Sequence, residues 1–290
     1  MPSFIVRPKN LKELWKIIPA LPVKRKYLAG GTDLVNISNA GSDDSACWLD
    51  ISALNELRLI WETKNSVFIG AAVKISEIAE SSLARRWLPA FIAAIPHFAS
   101  PSLRNMATLG GNAANASPCA DGVCALVSER ASVWLELKGK KRKIPLSGLF
   151  LGPKKTALKK DELITAFEIP KWKHNASYQK LGPRSYFGIS KVAAAVSVGR
   201  DYNDNRKVSI ALASVGPVTV DAVKTSAFLA GKRLTGEVIA KAAEIVKTEV
   251  SPITDTRSKA DYRREMCGVL VERALNSLLR PARVEEGKNL

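Results

Sequence analysis

Residues 27–34 of the chain read Tyr27-Leu28-Ala29-Gly30-Gly31-Thr32-Asp33-Leu34, and residues 107–112 read Ala107-Thr108-Leu109-Gly110-Gly111-Asn112. Each stretch combines two adjacent glycines with small polar residues, and glycine lets backbone N–H groups approach a ligand without interference from a Cβ atom. Successive free N–H groups form a concave site that binds anions. Two such loops predict a site for two phosphates, as in a dinucleotide. Neither loop matches the Rossmann or P-loop consensus.

The composition is that of an ordinary globular protein. Of the chain's residues, 46% are hydrophobic and 24% are charged. Its length of 290 residues is enough for two or three compact units. No run of about eighteen apolar residues occurs, so no membrane-spanning helix is expected. The first residues lack a basic segment followed by an apolar one, so the sequence predicts no signal peptide and a cytoplasmic protein.

The cysteines and histidines predict neither a metal site nor a catalytic group. The four cysteines, Cys47, Cys119, Cys124 and Cys267, are too few and too scattered for a disulfide framework. Neither a histidine nor a second cysteine pair accompanies Cys119 and Cys124, so we expect reduced thiols and no iron–sulfur cluster. Nothing in the sequence resembles a nucleophile–base–acid arrangement, and no catalytic residue is predicted.

The strong positive charge raises nucleic-acid binding as a hypothesis. The net charge is +17, from 44 basic and 27 acidic side chains. The densest basic clusters are residues 138–143 and the group Lys154, Lys155, Lys159 and Lys160. Neither cluster has interleaved aromatic residues, and no helix-turn-helix or zinc-finger pattern accompanies them. We therefore expect no nucleic-acid partner, and interpret the charge as favouring solubility or an acidic partner protein.

The hydrophobic pattern predicts three units: a small α/β unit over residues 1–55, an α+β unit over 56–173, and a sheet-plus-helices unit over 174–290. Asn10 and Glu13 predict a capping box at the start of the first helix. The predicted strands are 26–29, 48–51, 66–71, 132–137, 141–144, 163–169, 193–200 and 207–215, the last two flanking a turn at 202–205. The predicted helices are 74–84, 87–98, 122–128, 221–230, 236–249 and 258–280, the last capped by Ser258.

Polar side chains follow the second glycine loop at short spacing. Asn115, Ser117 and Asp121 surround Pro118, beside the predicted anion site. A carboxylate does not favour a phosphate, but Asp121 can accept hydrogen bonds from the hydroxyl groups of a ribose or a ribityl chain. The alternative interpretation is that Asp121 caps a helix that starts at Gly122.

One long segment resembles a known family. Residues 98–121 read Phe98-Ala99-Ser100-Pro101-Ser102-Leu103-Arg104-Asn105-Met106-Ala107-Thr108-Leu109-Gly110-Gly111-Asn112-Ala113-Ala114-Asn115-Ala116-Ser117-Pro118-Cys119-Ala120-Asp121. This segment resembles the FAD-binding medium subunit of the molybdenum hydroxylases, the xanthine dehydrogenase and carbon monoxide dehydrogenase family. The loop at residues 28–34 matches that family's first diphosphate loop, and the similarity continues through residues 161–170, 178–181 and 189–192. It covers nearly the whole chain.

The resemblance implies a fold of class α+β. It is the bipartite FAD-binding fold of the vanillyl-alcohol-oxidase (PCMH) type, followed by a C-terminal domain of antiparallel sheet and helices. In that fold FAD lies between the first two units and is covered by the third. The three units predicted from the hydrophobic pattern agree with this arrangement.

The resemblance also implies roles for single residues. Residues 27–34 and 108–112 would surround the diphosphate through N–H groups, with the hydroxyls of Thr32 and Thr108 as further donors. Asp121 would bind ribityl or ribose hydroxyls, and Lys180 would lie close to the flavin. Leu163 would lie near the adenine, Ile189 near the isoalloxazine ring, and Phe98 either near the cofactor or in the core. The implied cofactor-binding residues are Tyr27, Leu28, Ala29, Gly30, Gly31, Thr32, Asp33, Leu34, Phe98, Thr108, Leu109, Gly110, Gly111, Asn112, Ser117, Asp121, Leu163, Lys180 and Ile189.

The function implied by the resemblance is electron transfer within a heteromeric complex. A molybdopterin-binding large subunit would oxidise the substrate, and a small subunit with [2Fe–2S] clusters would pass electrons to FAD and on to NAD⁺, oxygen, a quinone or another acceptor. Certain relatives carry an inserted cysteine-rich segment for a [4Fe–4S] cluster, which this sequence lacks. Two alternatives stay open here: a free-standing flavin reductase or oxidase on the same fold, and a basic nucleic-acid-binding protein.

Overall fold

The computed structural model describes residues 2–184, 188–199 and 207–279. The first part of the chain forms a small parallel sheet with strand order β1-β3-β2. Its elements in chain order are β1 (Phe4–Val6), α1 (Leu11–Ile17), β2 (Arg25–Leu28), α2 (Leu34–Asn39) and β3 (Cys47–Asp50). Helix α1 starts as predicted, because the side chain of Asn10 accepts the N–H of Glu13 at 2.8 Å. The reciprocal bond of the predicted capping box differs: the carboxylate of Glu13 accepts the N–H of Lys9, one residue before the cap.

The middle part of the chain forms an antiparallel five-stranded sheet with strand order β4-β5-β10-β6-β7. A short hairpin, β8–β9, stands beside it. The elements are β4 (Ile60–Glu62), β5 (Ser66–Gly70), α3 (Ile75–Glu80), α4 (Ser82–Trp87), α5 (Pro89–Ala94), α6 (Pro101–Arg104), α7 (Leu109–Ala114), α8 (Asp121–Ser128), β6 (Ser132–Leu137), β7 (Lys140–Pro145), β8 (Phe150–Gly152), β9 (Lys155–Thr156) and β10 (Leu163–Pro170).

The single helix predicted over residues 74–84 is wrong, because the chain breaks at Ser81. Ser81 is extended and its hydroxyl accepts the N–H of Ala84 at 3.4 Å, which caps the start of α4. The helix predicted over residues 87–98 is shorter than expected for a related reason. Pro89 opens α5, and the chain tightens into a 3₁₀ turn containing Pro96.

The last part of the chain forms an antiparallel four-stranded sheet with strand order β11-β12-β13-β14, covered by helices. The elements are β11 (His174–Leu181), β12 (Val192–Gly199), β13 (Val208–Ala213), β14 (Val220–Asp221), α9 (Val223–Leu229), α10 (Gly236–Lys247) and α11 (Ala260–Leu279). The predicted turn at 202–205 lies outside the described residues. The prediction that Ser258 caps the last helix is wrong: α11 begins at Ala260, whose N–H donates to the hydroxyl of Thr254.

Helix α8 joins the middle and last parts of the chain. All eight of its residues are buried. Its apolar side chains belong to one core with Val67 and Phe167 of the central sheet and with Ala195 and Ala211 of the last sheet. This packing fixes the start of α8, at Asp121, opposite strand β11. No helix of the described residues is both long and apolar enough to cross a membrane.

Candidate cofactor-binding site

The two glycine loops predicted from the sequence lie in direct contact. A β-carbon added at Gly30 would overlap the carbonyl oxygen of Met106 and would lie 2.8 Å from its carbonyl carbon. The same atom would lie 3.0 Å from the Cα of Ala107. Real β-carbons do not approach backbone atoms so closely, so only glycine fits at position 30. The close approach makes one continuous surface from two loops that are distant in sequence.

The first loop presents free backbone donors. Among the described residues, the N–H groups of Gly30, Gly31 and Thr32 find no hydrogen-bond acceptor. Gly31 has φ +72°, a left-handed conformation that glycine adopts without steric cost. Three consecutive unpaired N–H groups around such a residue match the anion-binding arrangement predicted from the sequence.

The second loop differs from the expectation that its N–H groups face a ligand. The N–H of Leu109 donates to the carbonyl of Val73 at 3.0 Å, and that of Gly110 to the carbonyl of Ala71 at 2.8 Å. The N–H of Gly111 donates to the hydroxyl of Thr108 at 3.1 Å, because Thr108 caps helix α7. Among the described residues, the second loop keeps one free backbone donor, the N–H of Thr108, and the consecutive free donors of the site belong to the first loop, against which the second loop packs.

Asn112 carries an unpaired polar atom in the second loop. Its Oδ1 is buried and finds no donor among the described residues. A β-carbon at Gly122 would lie 3.0 Å from this oxygen, so the glycine leaves room beside it. A buried acceptor without a donor costs free energy, and a bound ligand that supplies an N–H or O–H group would remove that cost.

Asp121 is the first residue of α8, not its cap, and its carboxylate is held by two side chains of β11. The hydroxyl of Tyr178 donates to Oδ1 at 2.6 Å, and the ammonium group of Lys180 donates to Oδ2 at 2.8 Å. Lys180 also donates to the carbonyl of His97 at 2.9 Å. The alternative interpretation of Asp121 as a helix N-cap is wrong, since Ala120 occupies that position. Each oxygen keeps a lone pair for a further donor.

Burial shapes the protonation of this cluster. Burial raises the pKa of the Asp121 carboxyl, and the Lys180 ammonium and the Tyr178 hydroxyl oppose that shift. Burial, together with the charge of Asp121, also raises the pKa of Tyr178 well above its usual range. Burial and the nearby Lys180 lower the pKa of His97 below its usual value, so its ring is neutral at pH 7.

The other predicted residues occupy different surroundings. Phe98 is 7% exposed and packs in the core, with a ring carbon 3.3 Å from the position that a β-carbon of Gly122 would occupy. Leu163 is buried in the core cluster that also contains Leu14 and Leu49, and Tyr27 packs against this cluster. The hydroxyl of Ser117 accepts the N–H of Cys119 at 3.3 Å. Ile189 lies on the surface and is 59% exposed.

Two residues near the site, Tyr178 and Lys154, escaped the sequence-based prediction, and the contacts of Asn115, which the sequence placed beside the anion site, were not foreseen. Tyr178 was missed although its spacing from Lys180 places both side chains on the same face of a strand. The amide of Asn115 donates to the carboxylate of Asp33 at 2.8 Å, and Lys154 donates to the oxygen of Asn115 at 2.5 Å. These contacts connect segments far apart in sequence, so no local pattern could reveal them. Within the described residues, no three His, Cys, Asp or Glu side chains are grouped to hold a metal ion.

Comparison with known proteins assigns the chain to a family. Residues 2–172, more than half of the chain, match the family model described as the FAD binding domain in molybdopterin dehydrogenase. The chain belongs to this family. Residues 177–278 match the CO dehydrogenase flavoprotein C-terminal domain. The cofactor of this molybdopterin dehydrogenase component is therefore FAD, and the prediction of an α+β FAD-binding fold with a C-terminal sheet-and-helix domain is confirmed.

Relatives and solved structures agree with this assignment. The carbon monoxide dehydrogenase medium chain of Hydrogenophaga pseudoflava is 29% identical over 272 residues, which cover 93% of this chain and 94% of the relative. The xanthine dehydrogenase FAD-binding subunit of Escherichia coli O157:H7 is 26% identical over 261 residues, 89% of each chain. A chain of the reconstituted CO dehydrogenase from Oligotropha carboxidovorans superimposes with a TM-score of 0.90 at 27% identity, covering 96% of this chain and 97% of that one. The chain is thus a component of an oxidoreductase.

The residues of the site fit FAD. The diphosphate of FAD needs several hydrogen-bond donors, and the first loop has three consecutive free N–H groups. Gly31 adopts the left-handed conformation that such a turn of consecutive donors requires. The unpaired Oδ1 of Asn112 offers an acceptor beside the same loops.

Proposed function

We propose that this chain is the electron-transfer subunit of a heteromeric molybdenum hydroxylase. In the proposed complex, a large molybdopterin-binding subunit oxidises the organic substrate, and a small subunit with [2Fe–2S] clusters delivers electrons to this chain. The match of residues 2–172 to the FAD-binding family carries the proposal. The names of the relatives support it, since one is a medium chain of carbon monoxide dehydrogenase and another is a FAD-binding subunit of xanthine dehydrogenase.

In this proposal the first glycine loop holds the diphosphate. The N–H groups of Gly30, Gly31 and Thr32 donate to its oxygens, because they have no acceptor within the described protein. The start of the second loop packs against the first loop, where the main chain of Met106 contacts Gly30. Thr108 caps α7 by accepting the N–H of Gly111, and its O–H stays available to donate to the diphosphate.

The flavin end of the cofactor is assigned to the cluster around Asp121. Lys180 and Asp121 are buried together, and their separation of 2.8 Å fixes both side chains before any ligand binds. A positioned ammonium group and a positioned carboxylate orient a polar ring and its hydroxylated chain. In the proposal, Leu163, which shares a core cluster with Tyr27, lies near the adenine. The exposed Ile189 lies near the isoalloxazine ring.

When bound, FAD supplies the redox chemistry, and the protein supplies binding, orientation and electrostatics. The chain's own part is to hold the diphosphate at the first loop and the polar groups of the flavin at Asp121 and Lys180. The neutral ring of His97 adds no charge to this pair at pH 7. We propose NAD⁺ as the electron acceptor of the complex and the cytoplasm as its location.

Purification of the chain, alone and with the subunits that accompany it, tests the proposal. We expect a yellow protein with a flavin absorbance spectrum, and a complex that contains molybdenum and iron. NADH added without oxygen is expected to bleach the flavin absorbance of the complex. A colourless chain that takes up no FAD would overturn the assignment. A monomer that oxidises NADH rapidly by itself would instead support the free-standing reductase.

A further inference from the structure

A lysine on the β8–β9 hairpin is connected to the end of the first glycine loop through one asparagine. Lys154 lies in the turn of this hairpin with φ +60°, and its N–H donates to the carbonyl of Ala116 at 3.0 Å. Its ammonium group donates to Oδ1 of Asn115 at 2.5 Å. The amide of Asn115 in turn donates to the carboxylate of Asp33 at 2.8 Å. Three segments of the chain therefore meet beside the free N–H groups of Gly30 to Thr32.

The two glycine loops carry no positive charge that could compensate a bound diphosphate. Residues 27–34 and 107–112 contain no lysine or arginine, and Asp33 is their only charged residue. A diphosphate carries negative charge, which a nearby carboxylate repels unless a cation compensates it. The side-chain amide of Asn115 connects the two charges. Its NH₂ group donates to one carboxylate oxygen of Asp33, and its oxygen accepts a hydrogen bond from the ammonium group of Lys154.

The ammonium group of Lys154 has N–H donors that are not used within the described residues. An ammonium group has three N–H bonds, and within the described residues Lys154 uses one of them, toward Asn115. The lysine is exposed and forms no ion pair with a described acidic side chain. Two hydrogen bonds nonetheless hold the residue in place: its backbone N–H donates to the carbonyl of Ala116, and its ammonium group donates to the side chain of Asn115.

We propose that Lys154 is a binding residue for the diphosphate of FAD. Its ammonium group supplies the positive charge that both glycine loops lack, and through Asn115 it fixes Asp33 at the end of the first loop. The inference rests on the proposed placement of the diphosphate at Gly30 to Thr32. A charge-assisted hydrogen bond of this kind corresponds to roughly tenfold to a hundredfold in affinity.

Binding measurements on the full-length apoprotein test the proposal, with Lys155 as the matched control. Lys155 is the next residue of the same hairpin and is exposed like Lys154. FAD binding is followed by quenching of flavin fluorescence, and inorganic pyrophosphate serves as the second probe, through its competition with FAD. We expect K154M to weaken both ligands by about tenfold to a hundredfold, K154R to recover most of the loss, and K155M to change either by less than about twofold.

The salt dependence gives a readout that a purely structural role would not move. Loss of one charged contact to a phosphate is expected to make the affinity for pyrophosphate less dependent on ionic strength in K154M than in the wild type. Equal affinities of K154M and K155M would overturn the proposal, as would a loss of FAD binding in K154M that pyrophosphate does not share. A wild-type chain that binds FAD without competition from pyrophosphate would overturn the placement of the diphosphate itself, and this assignment with it.

Discussion

Gly30 lies against the main chain of Met106, so closely that a β-carbon on Gly30 would be 2.8 Å from the carbonyl carbon of Met106. This contact joins the loop that carries consecutive free N–H groups to the loop in which the N–H groups of Leu109, Gly110 and Gly111 are already bonded within the protein. The glycines of the two loops therefore have different tasks, and substitutions can separate them.

The first prediction contrasts Gly30 with Gly111. We expect G30A to lose FAD, because the added carbon pushes the first loop away from Met106. We expect G111A to retain it, because its β-carbon meets only the hydroxyl of Thr108, at 3.0 Å, and Gly111 has an ordinary helical conformation. The flavin content of the two purified variants checks this. Equal flavin contents would show that the contact with Met106 does not shape the site.

The second prediction separates binding from backbone strain. Gly31 and Gly41 have nearly the same left-handed conformation, with φ +72° and φ +71°. Alanine at either position is therefore expected to reduce the free energy of unfolding by about 1–2 kcal/mol. Only G31A is expected to weaken FAD binding as well, because Gly41 lies in the turn after α2. Urea unfolding and FAD titration measure the two effects. A similar loss of FAD affinity in G41A would contradict the role of Gly31.

The third prediction concerns the buried pair of Asp121 and Lys180. Replacing Asp121 by alanine leaves the ammonium group of Lys180 buried without its anion, which is expected to destabilise the apoprotein by about 3–5 kcal/mol. The exposed pair of Lys24 and Asp44 is the control, and D44A is expected to unfold like the wild type. Urea unfolding of both variants decides the matter. A D121A variant as stable as D44A would mean that solvent reaches Lys180 freely.

The fourth prediction is a pH dependence from Asp255. Burial raises the pKa of this carboxyl, but hydrogen bonds from backbone N–H groups and from the guanidinium groups of Arg263 and Arg257 outweigh burial. The net result is a pKa lowered to about 2. A lowered pKa stabilises the fold above the usual carboxyl pKa of about 3.9, and this stability is lost as the pH falls toward 2. The difference in unfolding free energy between the wild type and D255N is thus expected to be full at pH 5 and to shrink steadily between pH 4 and pH 2. A difference that does not change over this range would contradict the role of Asp255.

The fifth prediction concerns assembly. A net charge of +17 favours association with acidic partners, and salt screens such an attraction. We expect the association rate of the chain with its partner subunits to fall as the ionic strength rises. Stopped-flow or surface-based kinetics at increasing salt measure this. Association that is independent of salt would assign the charge to solubility alone.

Much of the fold could be predicted because its signals are local. The cap at Asn10, the alternating strands of the central sheet and the two glycine loops are each visible within a few residues. The break at Ser81 was not visible, because a serine within an amphipathic pattern also fits the exposed face of a continuous helix. Strand β11 was missed for a related reason: five of its eight residues are polar even without Tyr178, among them Lys180, which is buried against another element.

The site itself was only partly predictable. Loop composition identified the donors at Gly30 and Gly31, but no sequence pattern shows that the N–H groups of Leu109 and Gly110 already have acceptors. The roles of Tyr178 and Lys154 depend on contacts with Asp121 and Asn115, which are remote in sequence. Such contacts arise from the packing of α8 and the hairpin, which a single sequence does not reveal.

The ion pair of Asp121 and Lys180 also limits how this protein can be recombined. Asp121 lies in the segment that matches one family model and Lys180 in the segment that matches the other. A chimera that joins the first segment to the second segment of a distant relative must therefore bring a cation to the position of Lys180. Without that cation the graft would bury a lone carboxylate at the junction, so the two segments behave as co-adapted halves and not as interchangeable parts.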